Sequence, residues 1–115
     1  MGSADESRTT DLLLALSHPL RRQILRTLAD ELPRSPSDLA ENLDFPLPTV
    51  SYHVRVLSNR GAVRLVRTTP SNGSEQHFYL PSIEAEWARS VIESSEPLEG
   101  RRKPGRGRRR NRATA

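Results

Sequence analysis

From Ser35 to Leu80 the chain carries an ordered set of folding signals that admits few solutions. Ser35-Pro36-Ser37-Asp38 supplies a cap hydroxyl, a proline for the first helical turn and an acid three residues after the cap, the pattern that opens a helix. Leu39, Ala40 and Leu43 give that helix an apolar side, and Phe45-Pro46 turns the chain. Pro48 opens a further helix that ends by Gly61; its cap falls on Leu47 or a neighbour, a poor capping residue. Ala62 to Arg67 reads as a strand, Thr68 to Ser74 as a turn-rich loop, and Gln76 to Leu80 as the returning strand. Asn72-Gly73 allows a tight turn with positive φ between them.

Helix, tight turn, helix, glycine stop and hairpin is the order of a winged helix-turn-helix. The expected class is mainly α with a small β-hairpin, about five helices plus a two-stranded wing. The flanking segments supply the remaining helices. Thr10 or Asp11 caps a first helix carrying Leu12, Leu13 and Leu16, and Ser17-His18-Pro19 interrupts it. Pro19 opens a second helix, with Ser17 or His18 as its cap. Leu20, Ile24, Leu25 and Leu28 form its buried face, Arg21, Arg22 and Arg26 lie off that face, and Pro33 ends it. Pro81-Ser82 opens a last helix with Ile83, Trp87 and Val91 at four-residue spacing; Glu84 and Glu86 near its start suit the helix dipole. The domain therefore spans 10–94, between a flexible N-terminus at 1–9 and a disordered, Arg-rich tail at 95–115.

Composition narrows the function classes. With 115 residues, 34% of them hydrophobic, the chain holds one small domain, and a core shared with a second copy would stabilise it. It has no cysteine, which excludes disulfides and thiolate metal sites. The longest apolar run, Leu12 to Leu16, is too short to span a bilayer, and no signal peptide precedes it, so a cytoplasmic, nucleoid-associated protein without membrane partners is expected. The net charge of +4 is unevenly placed. Arg101, Arg102, Lys103, Arg106, Arg108, Arg109, Arg110 and Arg112 supply eight of the 18 basic side chains. Residues 1–100 keep the other ten against all 14 acids, a net charge of −4. The tail is read as a phosphate-binding segment acting through counterion release.

A helix placed by this motif enters a DNA major groove. At about 100° per residue, Val50, Val54 and Leu57 share one side of it and are expected to pack on Leu39, Leu43 and Ile24. The opposite side presents Pro48, Tyr52, Arg55 and Asn59, with Thr49, Ser51 and Val56 at its edges. Arg can donate twice to guanine, Ser and Thr can bond bases or phosphates, and Tyr can meet a phosphate or a thymine methyl. Pro48, Thr49, Ser51, Tyr52, Arg55 and Asn59 are thus the candidate reading residues. In the wing, Arg64, Arg67, Asn72 and Gly73 are candidates for contact with the phosphate backbone or minor groove.

Leu16-Ser-His-Pro-Leu-Arg-Arg-Gln-Ile-Leu25, Ser37-Asp-Leu-Ala40, Thr49-Val-Ser-Tyr-His-Val-Arg-Val-Leu57 and Gly61-Ala-Val63 together resemble the ArsR-type winged-helix repressors over roughly residues 10–93. The resemblance implies a homodimer formed by the first and last helices. Its interface would use Leu12, Leu13, Leu16, Ile83, Trp87 and Val91, with Trp87 as anchor. It also implies DNA contact at Ser51 and Tyr52, in agreement with the helical wheel. Many members sense metal through cysteines in the third helix or His and acid pairs in the last. This chain has neither set, so no metal sensing and no cofactor are expected, and the effector is open.

His18 is expected to be a cap or turn residue, His53 a packed, hydrogen-bonded one and His77 a solvent-facing strand residue. They lie far apart in sequence, and no convergence among them is expected. No nucleophile–base pattern or phosphate-cradling glycine loop is present, so no enzymatic activity is expected. The sequence therefore points to a sequence-specific, homodimeric transcriptional regulator of double-stranded DNA, most simply a repressor. The alternative is a nonspecific nucleic-acid-binding or protein-interaction module that uses the winged helix as a dimer scaffold.

Overall fold

Residues 3–96 are described by a computed structural model of the chain. Among them the order is α1 (Ser3–Ala15), α2 (Pro19–Leu28), α3 (Pro36–Leu43), α4 (Leu47–Asn59), β1 (Val63–Ser71), β2 (Ser74–Pro81) and α5 (Glu86–Glu93). This is the winged helix-turn-helix expected from the sequence, with β1 and β2 forming an antiparallel hairpin.

One apolar cluster joins every helix. Leu20, Ile24, Leu25 and Leu28 of α2 meet Leu39 of α3 and Val50, Val54 and Leu57 of α4, all at most 3% exposed. Leu12 and Ala15 of α1, Leu16 just after it, and Ala88 and Ile92 of α5 close the cluster from outside, and Leu43 packs at its edge. Each fully buried Leu, Ile or Val contributes about 1.5–3 kcal/mol. The four-apolar stripe of α2 therefore fixes where the other helices sit.

The helix ends are set by local chemistry. His18 caps α2 by accepting from the Leu20 N–H at 3.0 Å. Ser35 and Asp38 form a reciprocal capping box on α3, Ser35 Oγ accepting from Asp38 N at 3.1 Å and Asp38 Oδ2 from Ser35 N at 3.0 Å. Asp44 turns the chain between α3 and α4 in the left-handed region (φ 64°). Gly61 (φ 75°) ends α4: its N–H bonds Ser58 O, and the Ala62 N–H bonds Leu57 O. This crossed pair is a Schellman stop, which needs a left-handed residue at Gly61. Ala62 and Val63 then enter the core, so the glycine stop aims the wing.

Several boundaries differ from the sequence reading. α1 begins at Ser3, upstream of the expected cap at Thr10 or Asp11, because no proline or glycine interrupts Ser3 to Ala15. α2 ends at Leu28 rather than at Pro33; the chain leaves through Glu31 in the left-handed region (φ 63°). Thr68 to Ser71 are strand, not loop. Asn72 (φ 44°) and Gly73 (φ 83°) turn the hairpin in two residues, so pairing runs out to Ser71 opposite Ser74. Pro81 belongs to β2, opposite Val63, and α5 starts only at Glu86. Leu12 and Leu16, expected in a dimer interface, are 7% and 5% exposed in the chain's own core. With Ala15 they form an i, i+3, i+4 stripe that faces inward and leaves Leu13 and Leu14 outside. Ile83 likewise packs against the core rather than standing free.

Ser35 is 1% exposed, so its cap bond has no water to replace it. Ser35→Ala is expected to cost about 1–2 kcal/mol, read as a lower denaturant midpoint at unchanged slope. An unchanged midpoint would contradict the assigned role of the box.

Candidate nucleic-acid interface

α4 is amphipathic, and its inner side is fixed by packing. Val50, His53, Val54 and Leu57 are buried, which turns Pro48, Thr49, Tyr52, Arg55 and Asn59 outward. Tyr52 is 54% exposed, and Ser51 and Val56 are half-buried along the edges. The outward set is the one given by the helical wheel, with Ser51 less open than its neighbours. The entry to α4 has no side-chain cap: Pro46 sits at the cap position. Pro48 has no N–H, which lessens the number of unsatisfied donors in that first turn.

The wing gains its geometry from an irregularity. Leu65 pairs with Tyr79 and Arg67 with Phe78, so Val66 is an extra residue in β1. In a regular strand Arg64 and Arg67, three apart, would point to opposite faces. The bulge shifts the phase. Arg64 now lies opposite Leu80 and Arg67 opposite Phe78, and residues 78 and 80 share a face. The two arginines therefore lie on the same side of the hairpin. The Arg67 guanidinium stacks on the Phe78 ring at 4.4 Å from its centroid, a cation–π contact that extends it along that side. On the other side Thr68 Oγ1 and His77 Nδ1 are 3.2 Å apart, with Glu75 at 4.0 Å from His77 Nε2. The wing root is anchored by a backbone bridge between Arg34 and Tyr79, N···O 3.0 and 3.2 Å. Arg34 is itself held by both carboxylate oxygens of Asp30 at 2.8 Å. That contact holds the Asp30 carboxyl at about 2, below the usual carboxylate range.

Behind the outward face of α4 lies a polar cluster. The His18 and His53 rings are 4.3 Å apart, so two of the histidines converge, contrary to the expectation from their sequence separation. The break after α1 brings His18 against the middle of α4. His53, 7% exposed, sits beside the Arg21 guanidinium, Nη1 to Nδ1 3.0 Å, and the Tyr52 ring meets its edge at 5.0 Å. Burial first, then His18 and Arg21, pushes the His53 pKa down to about 4. Burial and the neighbouring Arg21 and Arg22 also lower that of His18. At neutral pH His53 is uncharged, and Nδ1 accepts from Arg21. Sequence reasoning placed Arg21 merely off the apolar face. The legible signal was its position just past a helix break, within reach of the preceding helix's free carbonyls. The bulge at Val66 left no such signal.

The eight basic residues from Arg101 to Arg112 lie outside the described residues. Among the described residues no group of three or more His, Cys, Asp or Glu is placed to hold a metal ion, and no helix is long and apolar enough to cross a membrane.

Residues 16–66 match a family described as "Helix-turn-helix domain". No curated protein matches the sequence. Among solved structures, the transcriptional repressor BigR from Xylella fastidiosa is 32% identical, over 78% of this chain and 80% of that one, with a TM-score of 0.56. HlyU from Vibrio cholerae is 25% identical, over 79% and 90%, with a TM-score of 0.58. The Mycobacterium bovis protein Mb0332, described as a homodimeric winged helix-turn-helix DNA-binding domain and a possible ArsR-family transcriptional regulator, is 22% identical, over 80% and 78%, with a TM-score of 0.61.

The depressed His53 pKa has a stability consequence of fixed sign. Between about 6.5 and about 4 the unfolded chain binds a proton at this site and the folded chain does not, so stability falls as pH drops through that window. Thermal unfolding from pH 7 to 4.5 is expected to show a steeper loss in the wild type than in His53→Asn. Parallel losses would contradict the burial of a neutral imidazole.

Proposed function

We infer the role of this chain from one premise: it belongs to the ArsR-type winged helix-turn-helix transcriptional regulators. On that basis it is a sequence-specific, homodimeric repressor that carries no enzymatic activity. α4 enters the major groove, with Thr49, Ser51, Tyr52, Arg55 and Asn59 toward base edges and Pro48 at the entry. Arg64 and Arg67 lie along the phosphates beside it, and Asn72-Gly73 forms the tip of the wing. The tail from Arg101 to Arg112 neutralises further phosphates without reading sequence. The observation that carries the reading is the uncommitted outward face of α4, with Tyr52 54% exposed and an exposed arginine three residues later.

The dimer is supported by exposed apolar side chains on the first and last helices. Leu13, Leu14, Trp87 and Val91 are 55, 40, 42 and 39% exposed, an expensive display for a small monomer. Mb0332 is a homodimer of the same fold, and BigR is a repressor. A two-fold pair would set its reading helices about 34 Å apart and would bind an inverted repeat.

Selection from a random duplex library at physiological salt tests this reading. An inverted repeat is expected from the full chain and from a chain ending at Gly100. No enriched motif, with binding lost on removal of the tail, would replace the reading with a nonspecific polyanion-binding module. On the selected duplex, Tyr52→Ala and Arg55→Ala are each expected to lose about 1–3 kcal/mol of discrimination against a scrambled duplex, measured by fluorescence anisotropy; full discrimination would remove that residue from the reading face. Loss of residues 101–115 is expected to flatten the salt dependence of binding by roughly 3–4 units, at ~0.9 per phosphate. An unchanged slope would remove the tail from the interface. Trp87→Ala is expected to shift sedimentation toward monomer, and unchanged dimer mass would exclude Trp87 as the anchor.

A further inference from the structure

A reading helix selects half-site spacing only if it is held at a fixed angle to the helices that join the two copies. α1 and α4 both lend apolar side chains to the one core, and apolar packing is non-directional. Between them stands Arg21. Its Nε donates to Ala15 O at 3.1 Å, and its Nη2 to Leu14 O at 3.0 Å and Ser17 Oγ at 3.1 Å. Its Nη1 donates to His53 Nδ1 at 3.0 Å. The Leu14 and Ala15 carbonyls belong to the last turn of α1; Leu14 O also accepts from the Ser17 N–H at 3.2 Å and from Ser17 Oγ at 2.8 Å, whereas Ala15 O is met by Arg21 Nε. Arg21 thus caps the turn of α1 that exposes Leu13 and Leu14, and the same guanidinium grips the buried side of α4 one residue from Tyr52. A further polar link, from Asp11 of α1 to Arg60 just past the end of α4 at 3.0 Å, is solvent-exposed on both sides and of small worth.

We propose, resting on the dimeric reading above, that Arg21 is a positioning residue for DNA recognition: it locks α4 to α1 through His53 and so sets the separation of the two reading helices. It touches no DNA in this role. A planar fork with fixed donor directions is required, because two acceptors on α1, one in the turn after it and a fourth on α4 must be met at once. Lysine carries the charge without the fork. His53 takes part through an unprotonated Nδ1, which its burial maintains.

The test uses the full chain and the selected duplex, rebuilt with half-sites moved apart or together one base pair, about 3.4 Å, at a time. The wild type is expected to favour one separation by about tenfold over its neighbours. Arg21→Lys and His53→Leu are expected to reduce that preference to about threefold or less, at unchanged dimer mass in sedimentation. His53→Leu leaves the α1 carbonyls capped, so it isolates the tether from the cap. His53→Asn returns an acceptor oxygen near the position of Nδ1 and is expected to restore the preference. If His53→Leu, or a folded Arg21→Lys, weakens binding equally at every separation and keeps the preference, Arg21 has only a structural role and the proposal is overturned. If the wild type itself enriches no motif, the dimeric reading fails first, a result separable from the former.

Discussion

The structure depends on the burial of one side of α4. Val50, Val54 and Leu57 lie at most 3% exposed against the α2 stripe of Leu20, Ile24, Leu25 and Leu28. Because a helix has only one such side, burying it decides the direction of every other α4 residue. The outward display of Tyr52, Arg55 and Asn59 is therefore a consequence of core packing. The same cluster takes in Ala62 and Val63, which follow the Gly61 stop, so the hairpin leaves the core at a place fixed by α4. α4 and the wing share one foundation.

Polar contacts then refine what apolar packing leaves loose. Packing sets which face of α4 points out; being non-directional, it does not by itself fix the angle between α4 and α1. A part-buried guanidinium with partners on both helices supplies that constraint, and the buried neutral imidazole of His53 is its receiver. The wing shows the same division. Apolar and backbone contacts anchor its root at Val63 and Tyr79, and the extra residue Val66 then brings Arg64 and Arg67 to one side.

Much of this was legible in the chain because the decisive signals are local. The Ser35–Asp38 box, Pro19 after a capping histidine, the glycine at 61 and the Asn72-Gly73 pair each act within a few residues, and each sits where its local chemistry requires. The helical wheel of α4 was legible for the same reason. The Arg21–His53 and His18–His53 contacts were not, since they join residues 32 and 35 positions apart and depend on how three elements meet. The Val66 bulge depends on register, which Thr68 to Ser71 concealed by resembling a loop in composition. The start of α5 was misread because Pro81 suits both the first turn of a helix and the end of an edge strand. Burial of Leu12 and Leu16 was missed because a leucine run allows more than one inward stripe.

The central claim is that α4 lies in the major groove of a two-fold site. Chemical protection on the selected duplex tests it most directly: dimethyl sulfate reports guanine N7 in the major groove, and hydroxyl radicals report the sugars. The account expects N7 protection inside both half-sites, about one helical turn apart, on the same duplex face as the protected sugars. It also expects the guanine met by Arg55 to become reactive again in Arg55→Ala. Reactive N7 atoms throughout, under a continuous band of sugar protection, would mean that the chain holds the backbone alone, and would contradict the assignment of α4 as a reading helix.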